Sequence, residues 1–136
     1  MLAISLTTFG QDDISIYGVV RDHFDNEKMP NVDIAIYADG KTLFQKKTNL
    51  NGKYEFILDF NHLYRIVYTF PNYVSKYLTI DARDIPKIDQ TGGFEMNIDM
   101  TLFHEIENLD VSILDDPIGK FQYDATRGSM EWDMAY

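Results

Sequence analysis

The chain reads as all-β, a seven-stranded antiparallel β-sandwich carrying a C-terminal extension. Three observations predict it. Apolar and polar residues alternate with a period of two through seven short segments between Ile14 and Leu102. Turn-forming residues such as Asp39-Gly40 and Asn49 to Gly52 separate them, and no stretch carries a convincing helical period.

Ile14, Ile16 and Val20 alternate with Ser15, Tyr17 and Arg21, so the first strand covers 14–22, and Gly18 in its middle suggests a bulge or a close backbone approach. The polar stretch His23 to Pro30 is a loop, ended by a proline that lacks an N–H. Val32, Ile34, Ile36 and Ala38 then face one way in a second strand, and Asp39-Gly40 supplies a hairpin turn into a third strand at 43–48. Asn49 to Gly52 offers side-chain acceptors and a glycine able to take positive φ, which predicts a second hairpin returning as strand four, 54–58.

Tyr64 to Phe70 is rich in β-branched and aromatic residues and stops at Pro71-Asn72, giving strand five. Tyr77 to Ile80 is strand six. Phe94, Met96, Ile98, Met100 and Leu102 alternate with Glu95, Asn97, Asp99 and Thr101 to form an unbroken seventh. Beyond it, residues 108–114 fit neither period. Ile118 to Tyr123 and Ser129 to Asp133 read as two strands joined across Thr126-Arg127-Gly128, a β-hairpin appended to the sandwich.

Three segments follow from this pattern: residues 1–11, the sandwich over 12–102, and an acidic extension over 103–136. The run from Leu2 to Gln11 is apolar with small residues and breaks at Asp12-Asp13. It looks like the tail of a signal peptide whose basic start is missing, because no Lys or Arg precedes Arg21; a first β-strand is the alternative. No apolar run approaches the ~20 residues that span a bilayer as a helix, so no transmembrane segment is expected.

The 136 residues suffice for one domain with a real core, and 45% apolar and 14% aromatic content argues against disorder. With 22 acidic against 12 basic side chains the net charge is −10, which repels phosphate backbones and disfavours nucleic acid as a partner. Eleven of the acids and only three bases fall in residues 87–136. The absence of cysteine excludes disulfides, thiolate metal sites and cysteine nucleophiles.

Over residues 14 to about 102 the sequence resembles the carboxypeptidase regulatory-like domain, a prealbumin-like (Ig-like) seven-stranded sandwich. The residues that carry the resemblance are Gly18-Val19-Val20 with Asp22, Pro30-Asn31-Val32, Thr48-Asn49-Leu50-Asn51-Gly52-Lys53-Tyr54-Glu55-Phe56, Tyr64, and Phe70-Pro71-Asn72-Tyr73. Asn49 stands where the pattern usually has Asp; both accept backbone N–H bonds and tolerate the left-handed region, so the turn survives while a cation bound through that carboxylate is disfavoured. Tyr73 to Tyr77, with Pro117-Ile118-Gly119-Lys120, is similar to a subtype in bacterial cell-envelope proteins. The resemblance implies a non-catalytic accessory domain, exported to the periplasm or associated with the outer membrane, that contacts another envelope protein or domain, with a carbohydrate-binding role as the alternative.

The residues add no reaction chemistry. His23, His62 and His104 lack the spacing that sets two imidazoles on one helix face, no acidic group has the loop spacing of a calcium site, and no serine lies in a Gly-x-Ser-x-Gly elbow. No catalytic residue, metal or cofactor is expected, and the protein is read as not an enzyme. Tyr37, Tyr73, Tyr77 and Trp132 are rigid amphipathic rings suited to stacking on a sugar or anchoring a partner. Tyr73, beside Pro71-Asn72, is the first loop-tip choice for that contact, with Tyr77 and Trp132 after it. Burial of Trp132 against the sandwich would instead make the extension structural.

Overall fold

The computed structural model describes residues 13–105, 118–124, 126, 127 and 129–133. Segment 1–11 and residues 106–117 of the acidic extension, on which expectations were placed above, lie outside the described residues.

Six strands follow the alternating segments closely: β1 Ile14–Asp22, β2 Asp33–Ala38, β3 Lys41–Lys47, β4 Lys53–Leu58, β5 Leu63–Thr69 and β6 Lys76–Asp81. A single-turn helix, α1 Lys87–Gln90, precedes β7 Phe94–Asn97 and β8 Met100–Leu102, and β9 Lys120–Asp124 and β10 Ser129–Asp133 form a hairpin. Among the described residues no helix is long and apolar enough to cross a membrane.

The strands make two facing sheets. One has β1 at its centre, with β4 on one side and β7 then β8 along the other; the second runs β10-β9-β6-β5-β2-β3. The core is what alternation requires. Ile14, Ile16, Val20, Phe56, Leu58, Met96 and Met100 face Ile34, Ile36, Ile66, Leu78 and Ile80, all buried. In the six-stranded sheet the inner residues lie in register, Ile34 opposite Tyr68, Ile36 opposite Ile66 and Ile66 opposite Leu78.

The all-β sandwich stands, with three differences in detail. The pairing is mixed rather than antiparallel throughout, since β7 and β8 run parallel to β1 and β9 runs parallel to β6. The expected seventh strand is divided at Ile98-Asp99, where the Asp99 carboxylate takes the Val19 N–H at 2.9 Å in place of a backbone carbonyl. Gly18 makes room for the break: a Cβ there would stand 1.9 Å from the Ile98 carbonyl oxygen.

The third difference concerns Asn49 to Gly52. Asp39-Gly40 does close a β2–β3 hairpin, with φ of 52° and 83°, the paired positive values of a type I′ turn. Asn49 to Gly52 instead carries the chain from the edge of the six-stranded sheet to the edge of the other, because β4 pairs with β1 and not with β3. Thr48 anchors the crossing from inside the protein, accepting from Val32 N (2.9 Å) and donating to the Met29 carbonyl (2.6 Å). The Asn49 side chain accepts the Asn51 and Lys53 N–H groups, and Val20 N donates to the Gly52 carbonyl.

A pair of tyrosines ties the sheets together. Tyr54, on β4, donates its hydroxyl to the Ile98 carbonyl at 2.5 Å, which leaves the buried Tyr68 hydroxyl on β5 to donate to Tyr54 at 2.7 Å. Burial raises the pKa of both phenols.

Candidate functional site

The outward face of the six-stranded sheet carries the residues that alternation removes from the core. On β2 these are Asp33, Ala35 and Tyr37, on β5 Arg65, Val67 and Thr69, and on β6 Tyr77, Thr79 and Asp81. Tyr37 lies opposite Arg65 and Arg65 opposite Thr79. The guanidinium of Arg65 sits 5.1 Å from the ring centroid of Tyr37 and 5.2 Å from that of Tyr77, one ring from each neighbouring strand. Cation–π attraction holds it there. Tyr37, Arg65 and Thr79, with Gly40, Leu63 and Tyr64, line a depression of about 310 Å³.

At one end of the sandwich β1 finishes in Asp22, a carboxylate almost wholly buried. Its Oδ1 accepts the Phe24 N–H, and its Oδ2 accepts the Tyr73 hydroxyl at 2.5 Å and lies 3.5 Å from His104 Nε2. The Tyr73 ring lies 4.1 Å from the His104 ring. The phenol and backbone N–H bonds hold the Asp22 pKa below the ordinary carboxylate value, and the same phenol bond pushes Tyr73 up to about 12. The cluster knits the end of β1 to the turn before β6 and the segment after β8.

The outward face of the four-stranded sheet holds a groove of about 530 Å³, floored by Gly18 and Val19 and lined by Tyr17, Lys53, Glu55, Asn97 and Asp99. Tyr17 is 41% exposed. Glu55 and Lys53 stand beside it with no bonded partner of their side chains among the described residues.

The sequence-derived candidates therefore part company. Tyr77 lies against the Arg65 guanidinium on the outward face of the six-stranded sheet, whereas Tyr73 lies at the end of the sandwich with its hydroxyl committed to Asp22. Trp132 is placed in β10, and its side chain lies outside the described residues. His62 pairs with Asp39 at 2.6 Å, while His104, 3.5 Å from Asp22, and His23, packed against Phe24 and Phe103, both belong to the Asp22 end of the sandwich. Among the described residues no three His, Asp or Glu side chains are grouped to hold a metal ion.

Arg65 and Tyr17 were missed by reasoning from sequence. The signal for Arg65 was present, a charge near the start of the apolar strand 64–70 and in phase with its outward residues, but only the pairing of β5 between β2 and β6 brings Tyr37 and Tyr77 to it.

No family model matches the chain, and no curated protein matches it. Solved structures do. The TIE protein of Bacillus anthracis superposes with a TM-score of 0.54 at 19% identity, over 68% of this chain and 17% of its own. The 3-chlorocatechol 1,2-dioxygenase of Rhodococcus opacus 1CP gives 0.52 at 12% identity, over 70% of this chain and 60% of that one. The dioxygenase domain of a dioxygenase carbohydrate-binding protein fusion from Streptomyces sp. SirexAA-E gives 0.51 at 9% identity, over 73% and 84%. The chain spans less than two thirds of the first two. At these identities the likeness shows a shared β-sandwich. It also corrects one expectation: dioxygenases are built on this sandwich, so possessing it gives no ground for reading the protein as not an enzyme.

Proposed function

We propose that the chain is a carboxypeptidase regulatory-like β-sandwich of an exported bacterial envelope protein, placed in the periplasm or at the outer membrane, where it contacts another envelope protein. The contact face is the outward side of the six-stranded sheet. One observation carries this reading: two tyrosines and an arginine, the residue types that dominate binding energy at protein interfaces, meet across three adjacent strands on an exposed surface. A rigid sheet holds them, so little conformational freedom is lost on docking.

A photo-cross-linking amino acid in place of Thr79, inside the depression, tests the reading against the same amino acid in place of Ile57 on the opposite outer face. A defined envelope protein cross-linked from position 79 and not from 57 is the expected result. Equal capture from both faces, or none from 79, refutes it.

A second reading, glycan binding, is favoured by the groove around Tyr17, where an exposed ring adjoins carboxylate, ammonium and amide groups able to bond sugar hydroxyls. Quenching of tyrosine fluorescence by oligosaccharides, lost in Tyr17→Ala, tests it.

A further inference from the structure

We propose that Arg65, held between Tyr37 and Tyr77, is the receptor for a carboxylate presented by an extended acidic segment of the partner protein. The inference rests on the contact function proposed above and names the chemistry of its central subsite.

The chain carries ten more acids than bases, so an exposed arginine without a carboxylate beside it is unexpected. Among the described residues Arg65 makes neither an ion pair nor a hydrogen bond. The acids closest to it in the strand order already have partners: Asp33 pairs with Lys47 at 2.7 Å, Asp39 with His62 at 2.6 Å, and Asp81 with Arg83 through two bonds of 2.9 Å. The guanidinium fork is thus left with its donors open to solvent while its faces are fixed by rings. A planar, pre-oriented fork matches the two oxygens of a carboxylate, and a lysine at this position could not reproduce that match.

Charge around the site favours the same ligand. Of the charged residues on β2, β3 and β5, Lys41 and Lys46 lie opposite the inward Ala38 and Ile34, and Lys47 is paired with Asp33, which leaves Arg65 as the unpaired charge that these strands present on the outward face. β3 is the last strand of its sheet, and its residues are exposed apart from the half-buried Phe44. An extended acidic segment crossing the face would meet the Arg65 fork at its centre. An anionic lipid or nucleic acid would instead meet the excess of negative charge on the remainder of the chain.

The test is a titration of the full chain with acetyl-capped triglutamate amide, followed by NMR at the Arg65 side-chain N–H and the Tyr37 and Tyr77 ring signals. Saturable shifts at these groups, with a dissociation constant on the order of millimolar and weakened by salt, are expected. Arg65→Gln should bind about tenfold more weakly or worse, and Arg65→Lys should not restore the affinity. Lys87→Gln, which changes the net charge equally on α1 and outside the residues that line the Arg65 depression, should bind as the parent does.

Methyl dispersion equal to the parent's shows that each variant is folded, and Tyr77→Leu gives a second, charge-neutral variant expected to weaken binding several-fold. Unchanged Arg65 signals, equal binding by Arg65→Gln, or equal binding of capped trialanine overturns the proposal. Tighter binding of trigalacturonate or inorganic phosphate than of the peptide also overturns it. Cross-linking from position 79 that persists in Arg65→Gln would sink this subsite while leaving the contact function standing.

Discussion

Replacing Tyr54 by phenylalanine tests the junction between the sheets, because the direction of each hydrogen bond there is dictated by donors and acceptors. The Ile98 carbonyl can only accept, so Tyr54 donates to it at 2.5 Å and Tyr68 donates to Tyr54 at 2.7 Å. Tyr54→Phe strips a donor from the Ile98 carbonyl and an acceptor from the fully buried Tyr68 hydroxyl. Each orphaned buried group costs about 1–3 kcal/mol, so the variant should lose roughly 2–5 kcal/mol. Tyr68→Phe leaves the bond to Ile98 intact and should lose only about 0.5–1.5 kcal/mol. The double variant orphans the carbonyl alone and should lose about 1–3 kcal/mol, making it more stable than Tyr54→Phe by itself. Urea unfolding with the slope held common measures all three against a total stability of about 5–15 kcal/mol. Equal losses in the two single variants with an additive double would refute the assigned bond directions.

Four further outcomes are expected. Gly18→Ala places a Cβ 1.9 Å from the Ile98 oxygen, and the break between β7 and β8 must move outward, with a loss above ~3 kcal/mol; an unchanged urea midpoint would contradict the close approach. Thr48→Val removes both buried bonds of the crossing turn and should cost about 2–4 kcal/mol in the same measurement. Burial raises the pKa of Tyr54, Tyr64 and Tyr68, so the unfolded chain releases those protons first; their contribution is complete below about pH 10 and falls as pH rises further, which tyrosinate absorbance should report as titration coincident with unfolding. Asp22 has the opposite sign, its pKa lowered chiefly by Tyr73. That contribution is present above the ordinary carboxylate pKa and is lost as pH falls below about 4, so the stability gap between the parent and Tyr73→Phe should narrow on acidification.

How much was legible can be judged strand by strand. β1 has the bounds its alternation predicts, and β2 to β6 agree within two residues at either end, because side-chain direction in a strand follows local period whatever its neighbour. Gly18 was legible for the same reason, since a glycine inside an alternating strand has few uses besides a bulge or a close approach. The end of β3 was misread, because Asn49 and Gly52 specify a turn but not the sheet that the next strand joins. That choice lies with Val20, Met29 and Val32, which receive the turn and its flank from other parts of the chain. The site was partly legible: Tyr37 and Tyr77 were named from their ring chemistry, and Arg65 was passed over because its strand looked apolar around it.

By itself, then, the order of residues determined that this protein is an all-β sandwich, which side chains turn inward, and where the chain reverses at Asp39-Gly40. Only the tertiary structure decided that β7 and β9 join their sheets in parallel, that the sheets are pinned by Tyr54 and Tyr68, and that Arg65 lies between two rings. The physical reason is range. Period and turn chemistry act between residues a few positions apart, whereas strand order is set by pairing and burial between segments far apart in sequence, and a surface site spread over three strands exists only once that order is in place.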